Sequence, residues 1–199
     1  MGDAACVVAY LGKLAGYQGT DLLLDAAARL CAERAGLHFL VMGYPLVGEY
    51  REKAARLGLA GRITFTGRVP YEQAAEHLAL ADIAVAPKIS ETESNGKLLN
   101  YMAVGLPTVA FDTPVAHEYL GEWGQYATTQ DASSLAAAIA DLLSSDSRRR
   151  LMSERLRTRA SRLYDWDSAG ERIEQVYQVV CRHTARGEVV RSCSGGVGL

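Results

Sequence analysis

Six short apolar runs, each divided from the next by a segment of helical spacing, constrain this chain more than any other feature. They are "CVVAYLG" (6–12), "LHFLVMG" (37–43), "RITFTG" (62–67), "DIAVAP" (82–87), "PTVAF" (107–111) and "GQYAT" (124–128). All are too short for helices, and most are rich in β-branched or aromatic residues, so they read as strands. Strands apolar on both faces and separated by helices make a parallel sheet covered on two sides. The intervening helices begin with "TDLLLDAAARLCAERAG" (20–36), where Thr20 is the expected N-cap, Leu23, Ala27, Leu30 and Cys31 share a face, and Gly36 is the expected end. "EYREKAARLG", closed by Gly58, and "YEQAAEHLALA" (71–81) follow, and another helix starts at about Asn95-Gly96. Beyond the sixth strand the pattern is helical only. Asp131 caps "DASSLAAAIADLLSS", a basic helix runs over 146–163, and "DWDSAGERIEQVYQVVCRH" comes last. One domain over 5–184 is expected, with the Gly/Ser-rich 185–199 as a disordered tail.

The totals exclude several classes. A formal charge of −2 lacks the basic excess of a general nucleic-acid binder, so no nucleic-acid partner is expected. No run is long enough to span a bilayer, and no basic-then-apolar leader opens the chain, so a cytoplasmic location is expected. Cys6, Cys31, Cys181 and Cys193 form no C-x-x-C pair and have no histidine at metal-ligand spacing, so they read as free thiols and no metal is expected.

A doubly wound sheet binds ligands beyond the carboxyl ends of its strands, where the strand order reverses. For the order 3-2-1-4-5-6 that crevice lies between the first and fourth strands. The loops there are "GKLAGYQG" (12–19) and "KISETESNG" (88–96), the most polar and glycine-rich strand-to-helix loops in the chain. Gly12, Gly16 and Gly19 permit close backbone approach, and Lys13 supplies a cation. Across the crevice, the amides of Asn95, Gly96 and Lys97 would be the open donors of a helix start, which favours an anion, and Lys97 adds charge. Ser94 and Asn95 have a second reading as simple helix caps. The first loop lacks the G-x-G-x-x-G spacing, and Met42-Gly43-Tyr44 ends the second strand without an acidic residue, which argues against a dinucleotide dehydrogenase.

An ordered set of segments carries a family resemblance over about residues 5–180. They are "YLGKLAGYQGTDLLLDAA", "FLVMGYP", "RITFTGRVPYEQ", "LADIAVAPKISETESNGKLLNYMAVGLPTVAFD", "HEYL", "DASSLAAAIADLL" and "YDWDSAGERIEQVY". Together they resemble the C-terminal, donor-binding domain of a GT-B glycosyltransferase of the retaining family 4 (glycosyltransferases group 1). The resemblance implies one Rossmann-like half of a GT-B fold that holds a nucleotide sugar (an NDP-sugar) as donor substrate and uses no cofactor. An acceptor would sit on a separate N-terminal domain not among these residues, and the domain alone would be inactive. Residue by residue, Lys13 falls where the family has a basic contact to the diphosphate. The second basic position is Gln18, before Gly19. The family's two glutamates fall in register on Thr92 and Asn100, with Glu91 and Glu93 flanking the first. Lys13, Glu91 and Glu93 are therefore the catalytic candidates. The donor-binding candidates are Gly12, Lys13, Gln18, Gly19, Gly43, Arg68, Val69, Thr92, Ser94, Asn95, Gly96, Lys97, Leu98 and Asn100. Gly67, Arg68 and Val69 match the segment that lies along the nucleotide base.

Some features keep two readings. The basic helix "SRRRLMSERLRTRASR" is a solvated face, or it draws the full-length enzyme to an anionic membrane surface. His38, His77 and His183 read as structural or surface residues, and His117 as a weak site candidate. A non-catalytic nucleotide-sugar module, or a fragment of a GT-B epimerase or hydrolase, stands as the alternative function. The neutral residues Gln18, Thr92 and Asn100 keep the non-catalytic module open. Loss of interdomain contacts also leads to an expectation of some self-association.

Overall fold

The computed structural model describes residues 6–90 and 93–185. The chain divides into two units, residues 1–160 and 161–199. In the first, the element order is β1 (Cys6–Leu11), α1 (Thr20–Glu33), β2 (Leu37–Met42), α2 (Val47–Arg56), β3 (Ile63–Gly67), α3 (Ala74–Leu78), β4 (Ile83–Ala86), α4 (Lys97–Val104), β5 (Thr108–Phe111), α5 (Pro114–Leu120), β6 (Gln125–Ala127) and α6 (Ala132–Leu143). α7 (Asp146–Leu163) crosses the division, and α8 (Trp166–Ala185) lies in the second unit.

The strands form one six-stranded sheet in the order β3-β2-β1-β4-β5-β6, with every described pairing parallel. Alternate residues explain how it is covered. Val8 and Tyr10, Phe39 and Val41, Ile83 and Val85, and Val109 and Phe111 join one core cluster with Leu23, Leu24 and Leu30 of α1 and Leu135, Ile139 and Leu142 of α6. The residues between them, Ala9, Leu40, Ala84, Ala86 and Ala110, are buried too but belong to the opposite face. Both faces are therefore dry, as the continuous apolar runs predict.

Asp131 is the expected cap of α6, its carboxylate accepting from the Ser134 amide at 2.8 Å. Two helix boundaries differ from expectation. Gly19, at φ 74°, holds the N-cap of α1, while Thr20 is fully buried and its hydroxyl accepts from the Ala15 amide at 3.2 Å. Helix α1 ends at Glu33 rather than Gly36, and the Gly36 carbonyl is taken by the Cys6 amide at the foot of β1. A close turn into the next strand won over the glycine stop.

Arginines of α7 tie the amino-terminal side of the sheet together. Arg149 donates to the Leu142 and Leu143 carbonyls at the end of α6, and Arg157 to the Val104 carbonyl at the end of α4. These are cations on helix C-termini, where the dipole favours them. The expected tail, 185–199, lies outside the described residues save Ala185, the last residue of α8.

Candidate functional site

The reversal of strand order falls between β1 and β4. The two loops that leave their carboxyl ends meet. Ile89 donates its amide to the Tyr17 carbonyl at 3.2 Å. Gly19 lies so close to the loop after β4 that a Cβ there would stand 1.7 Å from the Pro87 carbonyl oxygen. Glycine is required at this position both by that approach and by its positive φ. A second close approach joins β2 to β1, since a Cβ on Gly43 would stand 2.0 Å from the Gly12 carbonyl oxygen. The amides of Gly12 and Gly43 donate to the Met42 and Gly67 carbonyls, which draws the ends of β1, β2 and β3 into one rim.

Below that rim is a cavity of about 540 Å³ lined by Leu11, Gly12, Lys13, Met42, Gly43, Tyr44, Pro45, Arg68 and Val69. The structure thus brings together Gly12, Lys13, Gly43, Arg68 and Val69 from three separate strand ends. Lys13 and Arg68 bring exposed charge, each resting over a tyrosine ring, Tyr17 at 5.7 Å and Tyr44 at 5.3 Å. A larger depression of about 690 Å³ lies at the opposite edge, beside Asp82, Gly105 and Pro107 at the amino ends of the strands. Two of its arginines, Arg149 and Arg157, are held by helix carbonyls, so the smaller cavity is the better ligand site.

The loop after β4 is organised by Lys88, which sequence reading passed over. Its side chain is buried, and its ammonium donates to the Ser94 carbonyl at 2.8 Å and pairs with the Glu93 carboxylate at 2.9 Å. Glu93, a catalytic candidate, is therefore turned onto its own loop. Glu91 and Thr92 lie outside the described residues. The available signal was a lysine placed directly after a fully apolar strand at the switch point.

Helix α4 begins without a side-chain cap from the described residues. Gly96 holds the N-cap position, and the first bonded amides are Leu98 and Leu99, which donate to the Asn95 and Gly96 carbonyls. The amides of Asn95, Gly96 and Lys97 stand ahead of that pair, the arrangement that receives anions. The capping reading of Ser94 and Asn95 is corrected. The Ser94 hydroxyl bonds the Tyr119 hydroxyl at 2.9 Å instead. Asn95 is only 6% exposed and its Oδ1 has no partner among the described residues. A buried acceptor left unpaired costs about 1–3 kcal/mol, so it marks a place where a donor from a ligand would be welcome. Leu98 is also corrected: its side chain is fully buried in the core and its amide is used within the chain. Asn100 is partly buried on α4, with no hydrogen-bond partner among the described residues.

Lys97 connects the two halves of the site. Its ammonium donates to Gln18 Oε1 at 2.8 Å and to the Tyr10 hydroxyl at 3.4 Å. It occupies the space a Gly12 side chain would need, its Cε 2.9 Å from the Cβ position. Burial, then the charge of Lys88, brings its pKa down to about 7. Tyr101, fully buried one turn along α4, receives the Leu11 amide at 2.8 Å and donates to the Val85 carbonyl at 3.3 Å. It locks the helix to the ends of β1 and β4. His117 pairs with Asp112 at 2.7 Å and stacks on Tyr126, away from the cavity lining. His38 bonds Thr64 and His77 bonds the Gln73 carbonyl, both structural contacts.

Comparison with known proteins shows the family. Residues 5–145 match the family Glycosyl transferases group 1. A phosphatidyl-myo-inositol mannosyltransferase of Mycolicibacterium smegmatis is 31% identical over 165 residues, covering 82% of this chain and 42% of the relative. Anabaena HepE, solved in complex with UDP-glucose, superposes with a TM-score of 0.78 at 20% identity, over 88% of this chain and 49% of that one. The C-terminal domain of a Francisella tularensis glycosyl transferase group 1 protein (LpcC) gives a TM-score of 0.71 at 18% identity, over 82% of this chain and 88% of that one. The two structures share the fold. The chain spans less than half the length of the curated relatives it matches first.

Proposed function

The chain belongs to the glycosyl transferases of group 1, and from that premise we propose that it is the donor-binding half of an enzyme that moves a sugar from a nucleoside diphosphate to an acceptor. One observation carries this reading. The glycine-rich rim, Lys13, the uncapped amino end of α4 and Lys97 converge beside one cavity at the switch point of the sheet. In this reading the base lies along Arg68 and Val69, the ribose lies beside Asn100, the diphosphate lies on Gly12, Lys13 and the amides of 95–97, and the sugar lies beyond, near Asn95. Fixed donors and cations aimed at the diphosphate stabilise it as a leaving group, an electrostatic contribution. The family resemblance supports retention at the anomeric carbon and an acceptor carried by a part of the enzyme outside these residues. Transfer then requires that part, and this chain alone is inactive.

A solvated, non-catalytic binding module is the second reading. Gln18 and Asn100 are neutral where the family is charged, and Glu93 is tied to Lys88, which favours it. The membrane contact expected of α7 belongs to the whole enzyme. Arg148, Arg149, Arg157 and Arg159 are all engaged by the fold, so the remaining charge gives a weak attraction that vesicle sedimentation measures. No helix among the described residues is long and apolar enough to cross a membrane.

Calorimetric titration with UDP, GDP and ADP tests the donor site. Saturable binding of one nucleotide, weakened at least tenfold by Lys13→Ala, is the expected result. No saturable binding of any of the three contradicts the proposal.

A further inference from the structure

Four lysines stand in the sequence, and three of them have ordinary surroundings. Lys53 pairs with Asp21 at 2.7 Å and Asp25 at 3.8 Å, Lys88 pairs with Glu93, and Lys13 is exposed to water. Lys97 differs. It is partly buried and its partners are a neutral amide oxygen, a neutral hydroxyl and the face of the Tyr10 ring, 4.5 Å from ring centre to ammonium. Among the described residues no carboxylate lies within ion-pair distance of it. A buried ammonium without a counterion is costly, and it is relieved by losing its proton or gaining an anion. Its position says which anion. It is the first residue of α4, beside the open amides, and it fills the space left by the missing Cβ of Gly12, a residue that lines the cavity.

Resting on the donor-site reading above, we propose that Lys97, tethered by Gln18, is the principal cation for the donor diphosphate and that it gains a proton as the diphosphate binds. The groups facing it explain why the empty site disfavours its charge. Tyr10 from β1 and Tyr101 from α4 are both held in their neutral form by burial. Gln18 is neutral, Lys13 stands on the neighbouring glycine loop, and Lys88 repels from the loop after β4, although Glu93 offsets part of that charge. The positive end of the α4 dipole adds to the repulsion. A diphosphate reverses all of these at once. Its charge neutralises the helix end and gives the ammonium the counterion it lacks. Gln18 acquires a role in the same step: standing where the family carries a second loop cation, it holds the Lys97 side chain across the crevice to serve in that cation's place.

The sign of the pH response follows. A group whose pKa rises on binding makes affinity fall as pH rises from the free value toward the bound one. With Lys97 starting at about 7, affinity for UDP should decline by up to about tenfold per pH unit between pH 7.5 and 9. The terminal phosphate of UDP contributes nothing to that slope, because with a pKa of about 6 it is already ionised there.

The test is titration of the chain with UDP, GDP and ADP at pH 8 in two buffers of different ionisation enthalpy, with affinity also followed from pH 7 to 9. The nucleotide that binds should draw in close to one proton. Lys97→Met should lose at least thirtyfold in affinity and all proton uptake, with circular dichroism reporting whether it folds. Lys97→Arg, which stays charged throughout, should keep binding but lose both the proton uptake and the pH slope. A structural role would not produce that separation. Nucleotide binding without proton uptake, with Lys97→Met unaffected and Lys13→Ala impaired, overturns this inference and leaves the donor site standing. Failure of every nucleotide to bind overturns both.

Discussion

Gly19→Ala and Gly16→Ala are the same substitution three residues apart, and the structure assigns them opposite outcomes. Gly19 has φ 74°, and its added Cβ would stand 1.7 Å from the Pro87 carbonyl oxygen and 2.7 Å from its carbon. The left-handed conformation costs an L-residue about 1–2 kcal/mol. The collision is with backbone, which no side-chain rotation relieves, so the two loops must part by more than an ångström. Overpacking of that kind costs about 1–3 kcal/mol, and together the two effects reach about 2–5 kcal/mol. Gly16 has no positive φ and its nearest neighbour would be an Asp21 oxygen at 3.6 Å, an ordinary contact. There alanine restricts the unfolded chain and stabilises by about 0.4–1 kcal/mol. Urea unfolding measures both, with an unchanged slope showing that the same surface unfolds. Gly19→Ala should also abolish nucleotide binding, since it parts the crevice walls. A loss below about 1 kcal/mol at Gly19, or equal effects at both positions, would refute the claim that these loops are in backbone contact.

Other substitutions probe the rest of the site. Tyr101→Phe deletes one oxygen and strands the Leu11 amide, so it should cost about 1–3 kcal/mol by urea unfolding; no loss would mean the tyrosine does not anchor α4. Asn95→Ala removes an acceptor that no described residue satisfies, so stability should stay within about 0.5 kcal/mol while nucleotide-sugar affinity falls severalfold. The reverse pattern, lost stability with intact binding, would make Asn95 structural. Lys88→Met removes the charged donor to the Ser94 carbonyl and should cost about 1.5–3 kcal/mol, with faster proteolysis in the 88–96 loop. Unaltered cleavage there would show that the loop holds itself.

All six strands were legible because dry strands alternate with helices, whereas their order was taken from the common doubly wound arrangement, which the sheet adopts. The switch point followed from that order, and with it the two loops that matter. What the sequence hid was local competition for hydrogen bonds. Thr20 has the right chemistry for a cap, yet its hydroxyl is taken by Ala15, leaving Gly19 to turn the chain. Ser94 likewise finds Tyr119, which is 25 residues away and invisible to any local rule. The pairing of Lys88 with Glu93 within one loop was likewise not legible, because the sequence does not say which way a carboxylate in a polar loop turns. Leu98 stands next to the helix start, but helical periodicity turns its side chain to the core. The Gln18–Lys97 contact spans 79 residues, beyond the reach of any local rule.

The central claim is that the carboxyl edge of β1 and β4, not the larger depression across the sheet, receives the donor. Backbone amide NMR of the chain during titration with UDP tests it most directly. Shifts concentrated at Gly12, Gly43, Arg68 and Asn95 to Lys97 are the predicted result. Shifts concentrated at Asp82, Gly105, Ser153 and Arg157, at the opposite edge, would contradict it.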